Sequence, residues 1–267
     1  MNLAASYRII VPVALLTMQL FSGCARRQPA IETLPLPDLR ELISRMDRNR
    51  ENLRDFTGAG SLEMLGSEVR KTIVGVRVAY LTPNFLSVKL KGTLGVNLGS
   101  LILAGDRYSL RSNADHQQTR GDITDFEYPL GLDILIQGED VRDLFRPLIE
   151  SDSLAETAKL SKDFSTQLYE LAWFDEGIEN RLWADPFRPV FIRELVCADS
   201  GDTIWYREVD GIKQHSGVFL PHVWTTRLGQ APEVFQIKLN LSQMQVNSGL
   251  TPADFEIEED SPEADSG

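Results

Sequence analysis

From residue 56 onward, apolar and polar residues alternate in successive runs, and this alternation constrains the fold more than any other feature of the chain. Val74, Val76 and Val78 fall on one side of a predicted strand, because successive side chains of a strand point to opposite faces. Turn segments such as Thr82-Pro83-Asn84 separate the runs, as neighbouring antiparallel strands require. The pattern predicts an α+β, mainly β fold with about eleven antiparallel strands.

The predicted strands form two groups, one on either side of a central region. Residues 122–160 carry apolar residues at helical spacing, which predicts one or two helices with a break near Gly138 and a stop near residues 147–151. Another helix is predicted from Asp38, a residue suited to capping a helix N-terminus, to about residue 54. The predicted strands are residues 56–64, 69–81, 85–91, 101–104, 107–111, 167–174, 178–184, 190–197, 203–209, 217–227 and 234–241, with a last short strand at 255–257.

The N-terminal segment has the composition of an export signal. Arg8 precedes a mostly apolar run that ends in Leu20-Phe21-Ser22-Gly23-Cys24, and the run is shorter than the ~20 residues of a membrane-spanning helix. Leu-x-Ser-Gly-Cys is similar to a bacterial lipobox, in which the Cys24 sulfur would receive a diacylglyceryl group and become the first residue. An ordinary signal peptide with a chance cysteine is the alternative. Ala25 follows in place of Asp, which favours the outer membrane under the enterobacterial sorting rule.

The chain divides into four predicted segments. Residues 1–23 are the lipoprotein signal peptide, and residues 24–37, with three prolines, are a lipidated and extended tether. Residues 38–257 form one half-barrel domain, and the acidic residues 258–267 form a disordered tail. With 39 acidic against 27 basic residues and a net charge of −12, the chain is not expected to bind nucleic acid, since phosphates require Lys and Arg.

Residue types that carry catalysis or bind metal ions do not cluster in the sequence. His215 and His222 lack the spacing and the neighbouring cysteines or carboxylates of a zinc motif. The chain also lacks a G-x-S-x-G nucleophile motif. With Cys24 lipidated, Cys197 has no disulfide partner and is expected to be a small buried side chain. We therefore expect no enzyme activity, no cofactor and no metal.

The order of elements resembles the periplasmic lipoprotein-carrier superfamily of the Lol pathway (LolA and LolB) over about residues 38–257. The residues that carry the resemblance are the initial helix, the strand entry Phe56-Thr57-Gly58, residues 76–90, the glycine-rich connection after them, the helical middle, and Leu220-Pro221. The chain is most similar to LolB-like outer-membrane lipoproteins, and less so to the proteobacterial receptor itself. The resemblance implies a half-open antiparallel barrel, with an N-terminal helix and a central helical lid that enclose a hydrophobic cavity.

An apolar cavity would bind acyl chains without directional chemistry. Moving a ~16-carbon chain through water costs roughly 12 kcal/mol at ~0.8 kcal/mol per methylene, and a carrier must offset most of that cost. For each candidate residue, ordinary core packing is the alternative to ligand contact. The candidates for the cavity lining are Val74, Val76, Val78, Leu86, Val88, Leu90, Leu101, Leu103, Tyr169, Leu171, Trp173, Ile204, Tyr206, Phe235, Ile237 and Leu239.

One functional residue follows from the resemblance. In the LolB-type receptor, a loop after the third strand presents an exposed leucine in an Asn-Pro-Leu-Gly context. The matching stretch is Gly92-Thr93-Leu94-Gly95, which lacks the proline. Leu94 is therefore the candidate membrane-transfer residue, and the alternative is that it folds back onto the barrel.

The function expected from these features is that of a lipid-anchored envelope protein with a chaperone-like role in lipoprotein transport. It would bind hydrophobic or lipidated cargo, accept lipoproteins from a periplasmic carrier, and insert them into the outer membrane from its periplasmic face. The acyl chains on Cys24 would hold it on the membrane. A sensor or envelope-assembly module of the same fold, which binds a protein partner, is the alternative, and an envelope hydrolase is a third.

Overall fold

The computed structural model describes residues 30–66, 72–113, 116–129, 135–149, 158–229 and 234–257. The chain divides into two units, residues 1–35 and 36–267. In the first unit, a turn of 3-10 helix spans Ile31–Thr33 and is closed by a hydrogen bond of 3.0 Å from the Thr33 amide to the Ala30 carbonyl. The predicted signal peptide, Cys24 and the predicted tail lie outside the described residues and stay predictions.

The described part of the second unit contains two α-helices, α1 (Leu39–Glu51) and α2 (Gly138–Phe145). The Asp38 carboxylate caps α1 by accepting hydrogen bonds from the amides of the second and third helical residues, as predicted. Gly138 begins α2, where the sequence had predicted a break between helices. Neither described helix has the length and hydropathy needed to cross a membrane.

Seventeen strands are described, and thirteen of them form one sheet. In chain order they are β1 (Asp55–Leu65), β2 (Thr72–Leu81), β3 (Phe85–Lys91), β4 (Asn97–Ala104), β5 (Arg107–Ser112), β6 (Gln117–Asp122), β7 (Glu127–Pro129), β8 (Leu135–Gln137), β9 (Lys159–Asp163), β10 (Leu168–Asp175), β11 (Ile178–Ala184), β12 (Phe191–Cys197), β13 (Thr203–Asp210), β14 (Lys213–His215), β15 (Val218–Leu220), β16 (Val223–Leu228) and β17 (Phe235–Val246).

The thirteen-stranded sheet is antiparallel and open. Its strand order is β6-β5-β4-β3-β2-β1-β17-β16-β13-β12-β11-β10-β9, so the two halves of the chain meet where β1 pairs with β17. Strands β6 and β9 are the two edges, and they do not pair with each other. Strands β7 and β8 form a separate hairpin, as do β14 and β15. The predicted mainly β, antiparallel and half-open architecture is confirmed.

The predicted count of about eleven strands is wrong, because short or polar strands carry little hydrophobic alternation. The edge strands β6 and β9 read QQTRGD and KLSKD, and the sequence did not reveal them. The predicted strand at 217–227 is two strands, β15 and β16, which Pro221 separates. The predicted last strand at 255–257 is also wrong: Phe255 ends a 3-10 turn that begins at Pro252, and residues 256 and 257 have no regular secondary structure.

The two faces of the large sheet have different coverings. The face that carries Leu86 and Leu171, which we call the lid face, lies under the segment that follows α2: the indole nitrogen of Trp224 on this face donates to the Pro147 carbonyl at 3.3 Å. We call the opposite face the outer face. The C-terminal segment packs on it, with the rings of Phe85 and Phe255 5.6 Å apart.

Candidate functional site

Most of the predicted cavity-lining residues share the lid face. Strand pairing places directly opposed residues on the same face, which links Val78 to Val88, Leu86 to Leu103, and so on across the sheet. The predicted residues that lie on this face are Val74, Val76, Val78, Leu86, Val88, Leu90, Leu101, Leu103, Tyr169, Leu171, Trp173, Phe235, Ile237 and Leu239.

The predictions for Ile204 and Tyr206 are wrong in orientation. Both residues lie on the outer face of β13, where Ile204 is 40% exposed, while Arg207 and Val209 face the lid side. The Tyr206 ring lies 5.3 Å from the Arg227 guanidinium, and its hydroxyl donates to Glu208 at 3.2 Å. The prediction followed the apolar residues of β13, but here a buried arginine occupies the inward position.

The lid face is closely packed at its centre. The side chains of Leu86, Leu103 and Leu171 are completely buried, so no water-sized space lies beside them. The predicted cavity is therefore not open at these positions. Packing loosens toward the strand ends near β4, where Leu90 and Leu101 are partly exposed.

Hydrogen bonds connect the segment after α2 to the lid face. The Arg207 guanidinium donates to the Arg146 carbonyl, and the Trp224 indole donates to the next carbonyl, that of Pro147. Arg142 of α2 donates to the Gly105 carbonyl at 2.9 Å in the β4–β5 turn. Among the described residues, the buried Trp173 indole nitrogen has no hydrogen-bond partner. An unpaired buried donor costs free energy.

The lid face is not purely apolar, because charged side chains lie on it beneath the segment that follows α2. Glu194 accepts a hydrogen bond of 2.9 Å from the Trp205 indole. Burial raises the pKa of Glu194, although the Arg207 charge opposes the shift. Burial also raises the pKa of Asp143 on α2, against the neighbouring Arg146. Sequence alternation treats such positions as outward-facing and cannot find them.

Two clefts lie away from the packed centre of the lid face. The first, of about 660 Å³, lies between the end of α1, the β2–β3 turn and α2, and Arg50, Arg54, Arg142 and Glu139 contribute to its lining. The second, of about 890 Å³, is floored by the outer face of β17, β1, β2 and β3. Of the predicted lining residues, Val78 alone borders either of these clefts.

Leu94 projects from the β3–β4 connection. Its side chain is fully exposed, so it does not fold back onto the barrel. Its backbone is left-handed, with φ 62° and ψ 16°, a conformation that non-glycine residues other than Asn and Asp seldom adopt. An exposed leucine held in a strained backbone is a candidate functional feature.

Exposed apolar side chains concentrate at the end of the sheet that contains Leu94. Of the twelve large apolar side chains exposed among the described residues, nine lie at this end. Solvent-exposed apolar clusters commonly mark contacts with proteins or membranes. We call these nine residues the apolar rim: Leu65, Ile73, Leu94, Val96, Leu98, Phe174, Ile178, Ile204 and Val234.

Histidine and cysteine side chains in the described residues do not form a metal centre of three or more ligands. The Nε2 atoms of His215 and His222 are 3.0 Å apart, and the second cleft contains both rings. His222 Nδ1 donates to the Leu241 carbonyl at 2.8 Å. Cys197 is buried as predicted, with its sulfur 4.0 Å from the Thr203 hydroxyl.

Comparison with known proteins finds similarity in fold alone. No protein-family model matches the chain, and no curated protein matches it significantly. A domain described as an outer membrane lipoprotein-sorting protein domain from Vibrio parahaemolyticus is similar, with a TM-score of 0.53 and 15% identity over 81% of this chain and 95% of that one. A DUF1329 family protein from Desulfovibrio piger has a TM-score of 0.53 and 11% identity, covering 81% and 95%.

A LolA superfamily protein from Nitrosomonas europaea is also similar, with a TM-score of 0.50 and 12% identity over 82% of this chain and 97% of that one. At such identities, a structural likeness establishes the fold and leaves function to the site. The chain therefore has the LolA-like open half-barrel fold.

Proposed function

We propose that this protein is a lipid-anchored, non-catalytic envelope protein that binds hydrophobic or lipidated cargo on its lid face and delivers it to a membrane at its apolar rim. The observation that carries the proposal is the exposure of Leu94 in a left-handed backbone. The lipobox-like Cys24 and the lipoprotein-sorting description of one structural neighbour support an envelope role. We place the protein on the periplasmic face of the outer membrane, receiving lipoproteins from a periplasmic carrier.

The lid face supplies the apolar surface that such cargo needs. Burying a ~16-carbon chain against it would offset roughly 12 kcal/mol of hydration cost. Because Leu86 and Leu171 are fully buried, cargo must displace the elements that cover this face, and we propose that the segment after α2 is the one that moves. The bonds from Arg207 and Trp224 to the carbonyls of Arg146 and Pro147 would break in that step, and the acyl chain would replace the lid's apolar contacts.

The apolar rim supplies the contact with the bilayer. Leu94 and Val96 lie in the β3–β4 connection, Leu98 is the second residue of β4, and Lys91 is the last residue of β3. Apolar side chains flanked by basic residues suit the lipid interface, where lysine remains at the headgroups. The turns on the other side of the rim carry acids, including Glu176 and Asp199, which disfavour anionic lipid. Contact would therefore begin at the Leu94 connection.

A transfer assay tests this function. The protein is loaded with a fluorescent triacylated lipopeptide, and the appearance of that lipopeptide in acceptor liposomes is followed. We expect Leu94→Glu to load normally and to transfer at least tenfold more slowly, because a carboxylate must be dehydrated to enter the interface. Phe164→Glu is the matched control, since Phe164 is 58% exposed at the opposite end of the sheet. Equal transfer by both variants and the wild type would remove Leu94 from the mechanism.

The close packing of the lid face favours a second candidate, a non-carrier that binds a protein partner. Leu103 and Leu171 on this face are completely buried, as the side chains of a structural core are. Failure of the wild type to load any acyl probe, together with a stable complex with one envelope protein, would favour this alternative.

A further inference from the structure

The cleft on the outer face concentrates positive charge on a protein whose net charge is −12. Arg77, Lys89 and Lys213 line it, and all three side chains are exposed. None of the three makes an ion pair with another residue that the structure describes. Among the lining residues that the structure describes, the one acid is Asp254, which already accepts hydrogen bonds from the amide and hydroxyl of Thr251 at 2.8 and 3.0 Å.

Two of these cations are placed where they repel each other. Arg77 on β2 and Lys89 on β3 are directly opposed in the strand pairing. Opposed side chains lie within roughly 5 Å at their Cβ atoms, and like charges there are destabilising. The residues on either side along this row of the sheet, Ala59 and Ser100, carry no countercharge. An anion bound between the two cations would relieve the repulsion.

The paired histidines add charge that depends on protonation. His222 Nδ1 donates to a carbonyl, so in the neutral pair His215 donates its Nε2 proton to His222 Nε2. A further proton on His215 would make the pair cationic. The charged groups around the cleft are Lys213 on the same strand as His215, Arg77 and Lys89 from the floor, and Asp254 from the C-terminal segment.

The remaining lining suits an ester of an anion more than a bare ion. Hydroxyl donors come from Thr57 and Ser87, and amide donors from Gln243 and Gln245. Ala59, Ala79 and Leu250 form the apolar part of the lining. A phosphate offers several oxygens to separate cations, and arginine binds it through two parallel hydrogen bonds.

We propose that the outer-face cleft between Arg77, Lys89, Lys213 and the His215–His222 pair binds a phosphate group, with the apolar remainder of a phosphate ester lying over Ala59, Ala79 and Leu250. The phosphate could belong to a small soluble ester or to a lipid headgroup. This site lies on the face opposite the lid, so it is independent of cargo binding.

The test uses the full chain in a non-ionic detergent and follows the imidazole NMR signals of His215 and His222. The probes are inorganic phosphate, glycerol 3-phosphate and dihexanoyl phosphatidylglycerol below its micellar concentration, each against sodium chloride of equal ionic strength. We expect a saturable shift of both imidazole signals, with tighter binding at pH 6 than at pH 8. Tighter binding of glycerol 3-phosphate than of inorganic phosphate assigns a soluble ester, and a response to the lipid alone assigns a headgroup.

Substitutions distinguish a site from general charge. We expect Arg77→Gln with Lys89→Gln to weaken binding at least tenfold. Arg111→Gln is the matched control, because it removes one exposed cation from the same face outside the cleft. Thermal unfolding of each variant checks that the fold is intact. Imidazole signals that do not move with any of the three probes, or equal weakening by the control, would overturn the proposal.

Discussion

Glu194 and Arg207 occupy directly opposed positions on β12 and β13 and both face the lid side of the sheet. Arg207 is almost completely buried, and its guanidinium also donates to the backbone of Arg146 after α2. The charge of Arg207 therefore acts on a carboxylate of the sheet, while its guanidinium is hydrogen-bonded to the segment after α2. Opening the lid would separate the guanidinium from that carbonyl and leave the two side chains to face solvent or cargo together.

Removing this arginine should destabilise the half-buried carboxylate of Glu194. We predict that Arg207→Met lowers the free energy of unfolding by about 1–3 kcal/mol at pH 7, because a half-buried charge loses its nearby positive charge. Burial already raises the pKa of Glu194, and Arg207 opposes the rise. In the variant the pKa rises further, so protonation of Glu194 relieves the loss as the pH falls. Urea unfolding of variant and wild type at pH 5 to 8 measures the difference.

The matched control for this prediction is the double variant Arg207→Met with Glu194→Gln. It lacks the buried charge but keeps an acceptor for the Trp205 indole. We expect its stability difference from wild type to be smaller and nearly constant with pH. A loss in the single variant that does not depend on pH would contradict the assignment to Glu194.

The Glu194–Arg207 pair also illustrates which parts of the fold could be predicted from sequence and which could not. Strands such as β2 and β3, whose buried faces are wholly apolar, were placed by alternation, and so was the lid face that they share. Strand β13 was also located, but its orientation could not be predicted, because Arg207 lies inward and Tyr206 outward. The orientation of such a strand depends on partners that are distant in sequence, and hydropathy carries no information about them.

Candidate site residues divide in the same way. Leu94 was found because its loop resembles a known one, and its exposure agrees with that interpretation. The phosphate cleft combines side chains from three separate regions, among them Arg77, Lys213 and Asp254. No local motif joins them, since each is an ordinary surface residue in its own segment.

Asn49 holds α1 against the β14–β15 hairpin. Its side-chain amide donates to the Phe219 carbonyl at 3.0 Å, and its carbonyl oxygen accepts from the Phe219 amide at 2.8 Å. We predict that Asn49→Ala lowers the free energy of unfolding by about 2–3 kcal/mol, because two backbone groups lose their partners. Hydrogen exchange of the Phe219 amide should accelerate more than that of the Phe235 amide in the β16–β17 ladder. Equal protection of Phe219 in variant and wild type would contradict this role.

The histidine pair should make stability depend on pH. Burial lowers the pKa of His215, and the charges of His222 and Lys213 lower it further. The unfolded chain therefore binds a proton more readily than the folded chain. The stabilisation linked to neutral His215 is therefore fully present above pH 6.5, the ordinary pKa of histidine. It is lost as the pH falls below that value.

Comparison of His215→Gln with wild type between pH 5 and 8 measures this loss. We expect the unfolding free energy of the variant to change less across this range. His116→Asn, which removes an exposed histidine elsewhere, should retain the wild-type dependence. If the unfolding free energies of His215→Gln and wild type change with pH in parallel, the His215–His222 pair does not cause the pH dependence.

Because the backbone at Leu94 is strained, one substitution there should affect stability and membrane binding in opposite directions. Asparagine adopts left-handed backbone more readily than leucine does. We therefore predict that Leu94→Asn raises the free energy of unfolding by about 0.5–1 kcal/mol while binding to neutral liposomes weakens. Chemical unfolding and vesicle co-flotation measure the two effects. A variant that is less stable than wild type, or that floats equally well, would contradict the view that strain is retained for membrane contact.

The most direct test of cargo binding is titration of residues 36–267 with a fluorescent fatty acid, followed by native mass spectrometry and tryptophan emission. We predict saturable uptake of one acyl chain and a change in emission, because entry of the chain must break the Trp224–Pro147 hydrogen bond beneath the lid. A clean apo mass, with no uptake and unchanged emission, would contradict the carrier function and leave a packed half-barrel that binds a protein partner.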